Sequence, residues 1–186
     1  MANAKKVTTL PTNYHSNDEV DFSYYLDELK KEKYIDNWYK IIEPINVTPD
    51  YKISKNSKTH TVLNKLDYTP DFYIKWNKKA HNVFYYNQSD IASYKLKKEL
   101  PYFFVYKNNE SIIEIKPAFD YQNMTRTVTI LIKSLFYIKD VYVQIVKLND
   151  LYQKTFQPNT SSFKPKNKLK KVIFCKSLSE YVKNKS

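Results

Sequence analysis

The chain has 186 residues, with 31 Lys and Arg against 19 Asp and Glu, a net charge of +12, and 42% hydrophobic and 16% aromatic residues. It is long enough for one domain with a real core, and its charge favours a polyanionic partner, nucleic acid first, over a merely solubilising surface. The absence of glycine excludes P-loops and G-x-G-x-x-G dinucleotide sites, the single Cys175 excludes a disulfide framework or a multi-cysteine zinc site, and three scattered histidines offer no His-based metal site.

Residues 1–15 read as a polar leader with no signal-peptide core. No apolar run approaches the roughly 20 residues that span a bilayer. A cytoplasmic chain without a membrane partner is expected. Ser16-Asn17-Asp18-Glu19 matches a capping box, and Phe22, Tyr25, Leu26 and Leu29 then recur on one helical face, so a helix is predicted from Asp18 to Lys33. Glu19 lies at the N-terminal edge of that buried stripe. Residues 38–48 are β-rich and interrupted by Pro44, and residues 54–65 read as a polar turn or loop. A strand over 71–76 is entered through Tyr68-Thr69-Pro70. A short helix is placed around 89–100. A hairpin is expected to join 102–107 to 111–116 around Asn108-Asn109, residues that tolerate positive φ. Residues 120–138 show helical spacing through Met124, Val128, Leu131, Ile132, Leu135 and Phe136, and 141–148 read as a buried strand. The tail from Ser161 holds eight lysines and one acid, Glu180, around an apolar Val-Ile-Phe-Cys patch. The order of elements predicts an α/β sandwich.

Three acids and one lysine carry the candidate chemistry. On a strand, i and i+2 share a face, so Glu114 and Lys116 point together while Ile113 and Ile115 point into the core. If the Asp71 strand pairs alongside, Asp71 and Glu114 reach metal-bridging distance. Two carboxylates and a backbone carbonyl, with Ile115 the candidate, suit Mg²⁺, for which Mn²⁺ can substitute. Such an ion polarises a scissile phosphate and acidifies a water, which Lys116 can orient or deprotonate. Glu19 is placed to ligate a second metal or hold a water. Each residue also has a plain structural reading: a helix cap for Glu19, turn chemistry for Asp71, and a solvated ion pair for Glu114 and Lys116.

The pattern Glu19 … Tyr68-Thr-Pro-Asp71-Phe … Ile113-Glu114-Ile115-Lys116-Pro117 resembles the PD-(D/E)XK nuclease superfamily over roughly residues 16–148. The stretch from Ser16 to Leu26, with Tyr34-Ile35 and Glu43-Pro44, is similar to small phage endonucleases of the endonuclease I and Holliday-junction-resolvase type. The strings Tyr-Thr-Pro-Asp-Phe and Ile-Glu-Ile-Lys-Pro are equally close to TnsA-like transposon-end nucleases. The resemblance implies a restriction-endonuclease-like core, a mixed β-sheet flanked by helices, spanning 16–150. It implies Asp71 and Glu114 as metal ligands, Lys116 as the catalytic lysine and Glu19 as the helix carboxylate. Asp71 and Glu114 stand 43 positions apart, longer than the family's usual hairpin, so 77–110 reads as an insertion between the catalytic strands. Residues 151–186 become a basic C-terminal extension. The expected activity is Mg²⁺-dependent, structure-specific DNA cleavage, phage-encoded, on branched DNA and by a homodimer. The alternatives are a TnsA-like transposon-end endonuclease and, from another class, a non-catalytic DNA-binding or virion-associated protein that keeps the nuclease fold.

For the grip on DNA, Lys75, Lys78 and Lys79 follow the Asp71 strand, and Arg126 and Lys133 share a helix face. Arg126 is the only arginine among the 31 cations, hence the best single candidate for a bidentate phosphate contact, or a residue that merely caps or solubilises its helix. The chain's bias toward Lys, Asn, Tyr and Ile also fits an AT-rich coding sequence, so part of the lysine excess is compositional.

Overall fold

A computed structural model describes residues 13–94, 100–117, 124–161, 163 and 176–185. The helix expected after Ser16 is α1 (Asn17–Lys31). Ser16 Oγ accepts the Glu19 N–H at 3.2 Å, satisfying one of the free donors of the first turn. Phe22, Tyr25, Leu26 and Leu29 are fully buried, each adding about 1.5–3 kcal/mol of hydrophobic stabilisation. Then follow β1 (Ile35–Lys40), β2 (Ile45–Thr48), β3 (Tyr51–Lys55), β4 (Lys58–Leu63), β5 (Leu66–Tyr68) and β6 (Phe72–Trp76). After β6 come β7 (Tyr85–Asn87), α2 (Ile91–Tyr94), β8 (Phe103–Val105), β9 (Glu110–Ile115), α3 (Met124–Lys139), β10 (Val143–Val146), α4 (Leu148–Lys154) and α5 (Leu178–Lys183).

The protein is mixed α/β. Its central sheet has the order β1-β6-β9-β10. β6 is antiparallel to both β1 and β9, whereas β9 and β10 run parallel. A parallel pair needs a crossover, and α3 lies in that connection. Alternation of side chains splits the core in two. Phe72, Ile74, Trp76, Ile113, Ile115 and Val146 join α1, α4 and α5 on one face. Ile112, Val143 and Ile145 meet Val128 and Leu135 of α3, with Val47 and Tyr68, on the other.

Several expectations change. The segment 54–65 is not a loop: β3 and β4 form a hairpin turned by Asn56 and Ser57 at φ 51° and 60°. Residues 77–110 do lie between two paired strands, but they are no appendage. Ala80, Phe84, Tyr85, Phe103 and Val105 fill the main core. Asn108 and Asn109 turn the chain at positive φ as expected, yet β8 pairs in parallel with β7, and only Lys107 bridges across to Glu110. The segment read as strand to position 148 ends at Val146, and α4 crosses the boundary drawn at 150. Leu151, Tyr152, Phe156, Leu178 and Tyr181 all belong to the main core, so these parts of 151–186 are domain rather than extension. The Val-Ile-Phe-Cys patch lies outside the described residues, as do most of residues 95–100 of the helix placed at 89–100. Among the described residues no helix is long and apolar enough to cross a membrane.

Candidate functional site

The sheet register builds the site. Phe72 lies opposite Ile113, so one further step sets Asp71 opposite Glu114 at the end of the ladder. The Asp71 N–H donates to the Ile113 carbonyl at 3.0 Å, and its Oδ2 accepts the Ile115 N–H at 2.7 Å. Glu114 Oε1 pairs with Lys116 Nζ at 2.6 Å, and Oε2 accepts the Tyr68 hydroxyl at 2.8 Å. Lys40, the last residue of β1, pairs beside Phe72. Its Nζ donates to Asp71 Oδ1 at 3.2 Å and also to Glu19 Oε2. Glu19 further accepts the His15 N–H and the Ser16 hydroxyl, each at 3.2 Å. The capping box is therefore half made: Ser16 caps the helix, while the Glu19 carboxylate turns toward Lys40.

Lys40 thus joins Glu19 to Asp71, and the ladder register sets these three beside the Glu114–Lys116 pair. Three carboxylates face two ammonium groups, leaving one negative charge in excess. The cluster is sheltered: the Glu114, Lys116 and Asp71 side chains are 7%, 13% and 14% exposed. Burial pushes the Asp71 carboxyl above its ordinary pKa, and Glu19 adds to the rise against the Ile115 N–H and Lys40. Burial also raises Glu114, with repulsion from Asp71 next, opposed by Lys116 and Tyr68. Burial and then Glu114 push the Tyr68 hydroxyl far up, so it stays protonated and donating. Burial lowers Lys40, but Glu19 and Asp71 outweigh it and hold its ammonium above the usual value.

The donor chemistry fits a hard divalent cation. Asp71 and Glu114 offer carboxylates at the same end of adjacent strands. In the antiparallel pattern a residue turns its N–H and C=O to the same side. Ile115, whose N–H meets Asp71, therefore directs its carbonyl past the end of β6 as well. Two carboxylates and one carbonyl, completed by water, is how Mg²⁺ is commonly held. A cation there would offset the excess negative charge. Among the described residues no three His, Cys, Asp or Glu side chains form a metal cage by themselves. Glu19 is engaged by Lys40 rather than turned toward Glu114.

The lysines expected to grip DNA fall elsewhere. β6 runs away from Asp71, so Lys75 sits near the opposite end of the strand, 2.8 Å from Glu110 and 2.9 Å from the Asn108 carbonyl. Lys79 Nζ donates to the Glu32 carbonyl at 3.0 Å and covers the Tyr34 ring, and exposed Lys78 is its neighbour. These three do not border the acidic cluster. Arg126 is exposed in the first turn of α3, after the Lys116 strand. Lys133, two turns on, edges an apolar groove with Phe136, Tyr137 and Tyr142.

Two members of the cluster escaped the sequence. Lys40 follows Trp38 and Tyr39 with no motif around it, and only the pairing of β1 with β6 carries it to Asp71. Tyr68 stands in the approach to the strand, but nothing in the sequence assigns its hydroxyl a partner. No family model, no curated protein and no solved structure matches the chain.

Proposed function

We propose that the chain is a divalent-cation-dependent DNA endonuclease of the PD-(D/E)XK type, with a restriction-endonuclease-like core and Asp71, Glu114 and Lys116 as its working residues. One observation carries this reading. A carboxylate at the start of β6 and a carboxylate and lysine at the end of β9 meet in register at one end of the sheet, with an excess of negative charge. Mg²⁺, when bound, supplies Lewis-acid polarisation of the phosphate and acidifies a water. Asp71, Glu114 and the Ile115 carbonyl would hold it. Lys116, held by Glu114 at 2.6 Å, orients the attacking water, and takes its proton only after giving up its own. The Tyr68 hydroxyl fixes the Glu114 rotamer, and Lys40, anchored by Glu19, fixes that of Asp71. The reaction is in-line hydrolysis: the water oxygen bonds to phosphorus, and the opposite ester oxygen leaves with a proton.

A four-way junction is the first choice of substrate and a transposon end the second, on the resemblance these residues carry. A two-fold dimer goes with the first. One observation favours a non-catalytic DNA-binding protein instead: every Asp71 and Glu114 carboxylate oxygen already meets a protein donor. Incubation with supercoiled plasmid and Mg²⁺ or Mn²⁺ decides between them. Nicking that disappears in Lys116→Ala supports the enzyme; intact plasmid with the wild-type chain leaves the binding protein. Faster cleavage of a four-way junction than of linear duplex places the substrate.

A further inference from the structure

We infer that the β3–β4 hairpin is a nucleic-acid-binding arm whose lysines engage the phosphates of a DNA duplex. The inference rests on the reading of the chain as a DNA enzyme, but its evidence lies outside the acidic cluster.

Every residue from 49 to 66 is exposed. β3 and β4 form a two-stranded sheet of their own. Such a ribbon is marginal in water without a third strand or a helix beneath it, and Ile53 and Val62 are 44% and 50% exposed. The composition explains what could cover it. Residues 51–63 contain Lys52, Lys55 and Lys58 and no acid. Lys55 lies directly opposite Lys58 across the Asn56-Ser57 turn. Like charges in directly opposed positions destabilise a ribbon, and among the described residues neither forms an ion pair. A polyanion reverses that repulsion. Ser54 and Thr59, also opposite each other with hydroxyls 3.4 Å apart, and Thr61 beside Lys52 add uncharged donors.

Position and shape point to a duplex. The arm springs from the β2–β5 pair, whose Tyr68 donates to Glu114, so its base adjoins the cluster. From Tyr51 to Asn56 the ribbon advances five residues, about 17 Å at strand spacing, roughly half a turn of B-form DNA. A two-stranded ribbon also fits the major groove. A second copy of the chain is the poorer occupant, because two molecules of net charge +12 would meet lysine to lysine.

The test compares the wild type with a triple variant, Lys52→Gln, Lys55→Gln and Lys58→Gln. A charge-matched control changes the exposed Lys31, Lys33 and Lys154 to Gln. Binding to a labelled linear duplex is read by anisotropy without divalent cation, over a range of salt. The arm variant is expected to bind at least about tenfold more weakly, with its log–log salt slope reduced by about 2.7, three phosphate contacts at about 0.9 each. The control should stay near wild type, and all three should melt together. Wild-type affinity and slope in the arm variant would overturn the inference, as would a loss explained by conversion of a dimer to a monomer in sedimentation. Wild-type binding without plasmid nicking removes the nuclease reading and leaves the arm; nicking with an unaffected arm variant does the reverse. A wild type that does not bind duplex overturns the arm, and plasmid nicking then decides the nuclease reading separately.

Discussion

The acidic cluster and the β3–β4 arm share a root at Tyr68 but are built on opposite terms. In the cluster, sheltered charges hold one another in direct ion pairs, and the excess is negative. In the arm, the excess is positive and every side chain is exposed. Burial makes the cluster's charges costly and fixes their geometry, which suits chemistry. Exposure makes the arm's charges cheap to display and sensitive to salt, which suits capture of a polyanion. The two regions should therefore respond to substitution in different assays.

The largest expected effect is on cleavage. Lys116→Ala should slow single-turnover plasmid nicking by about 10²–10⁴-fold, the usual contribution of proton transfer, while duplex binding persists. A parallel loss of binding would erase the division between the regions. Next comes stability. Leu26→Ala, in the core against the sheet, should cost about 2–5 kcal/mol, with each kcal/mol lowering the melting temperature by about 2–4 °C in a chain of this length. Ile53→Ala in the arm should stay within about 0.5 kcal/mol. An equal drop would mean that the arm packs on something.

A smaller effect tests Lys40. Lys40→Met leaves Glu19 and Asp71 without their shared ammonium, so the cation-free protein should lose about 1–3 kcal/mol. Added Mg²⁺ should then raise its melting temperature by more than it raises that of the wild type. Equal gains would remove Lys40 as the cluster's internal counter-ion. The smallest effect depends on pH. The Asp71 carboxyl is raised in the folded chain, so its contribution to stability is full below the ordinary Asp pKa of about 4 and is lost as pH rises through the folded value. Asp71→Asn should therefore raise the melting temperature of the cation-free protein at neutral pH and leave it unchanged near pH 3. Melting curves across that span check the sign.

The parts of this plan readable from sequence are those set by local chemistry. The Ser16 cap, the Phe22-to-Leu29 stripe, proline before β6 and the alternation around Glu114 each depend on neighbours within a few residues. Pairing across the sheet is different. Asp71 meets Glu114 through a register that sequence could only suppose, and Lys40 arrives from a strand with no signature. Lys75, Lys78 and Lys79 mislead for the same reason: they follow Asp71 along the chain but lie toward the other end of its strand. The hairpin passed for a loop because its polar residues and glycine-free turn gave no hairpin signal. Phe84 and Phe103 passed for an insertion because distance along the chain hides a shared core.

The turns of this glycine-free chain have a consequence for its unfolded form. Lys33, Asn56, Ser57, Asn82, Asn108, Asn109 and Asp140 all hold positive φ with a β-carbon in place. Glycine at those points would relax the native turns, but it would also hand the denatured coil more conformations to lose. The two tendencies nearly cancel for asparagine, which tolerates the left-handed region; at Lys33, which lacks that tolerance, relief should win. The protein thus obtains its reversals from stiffer residues and leaves its random state less room to wander.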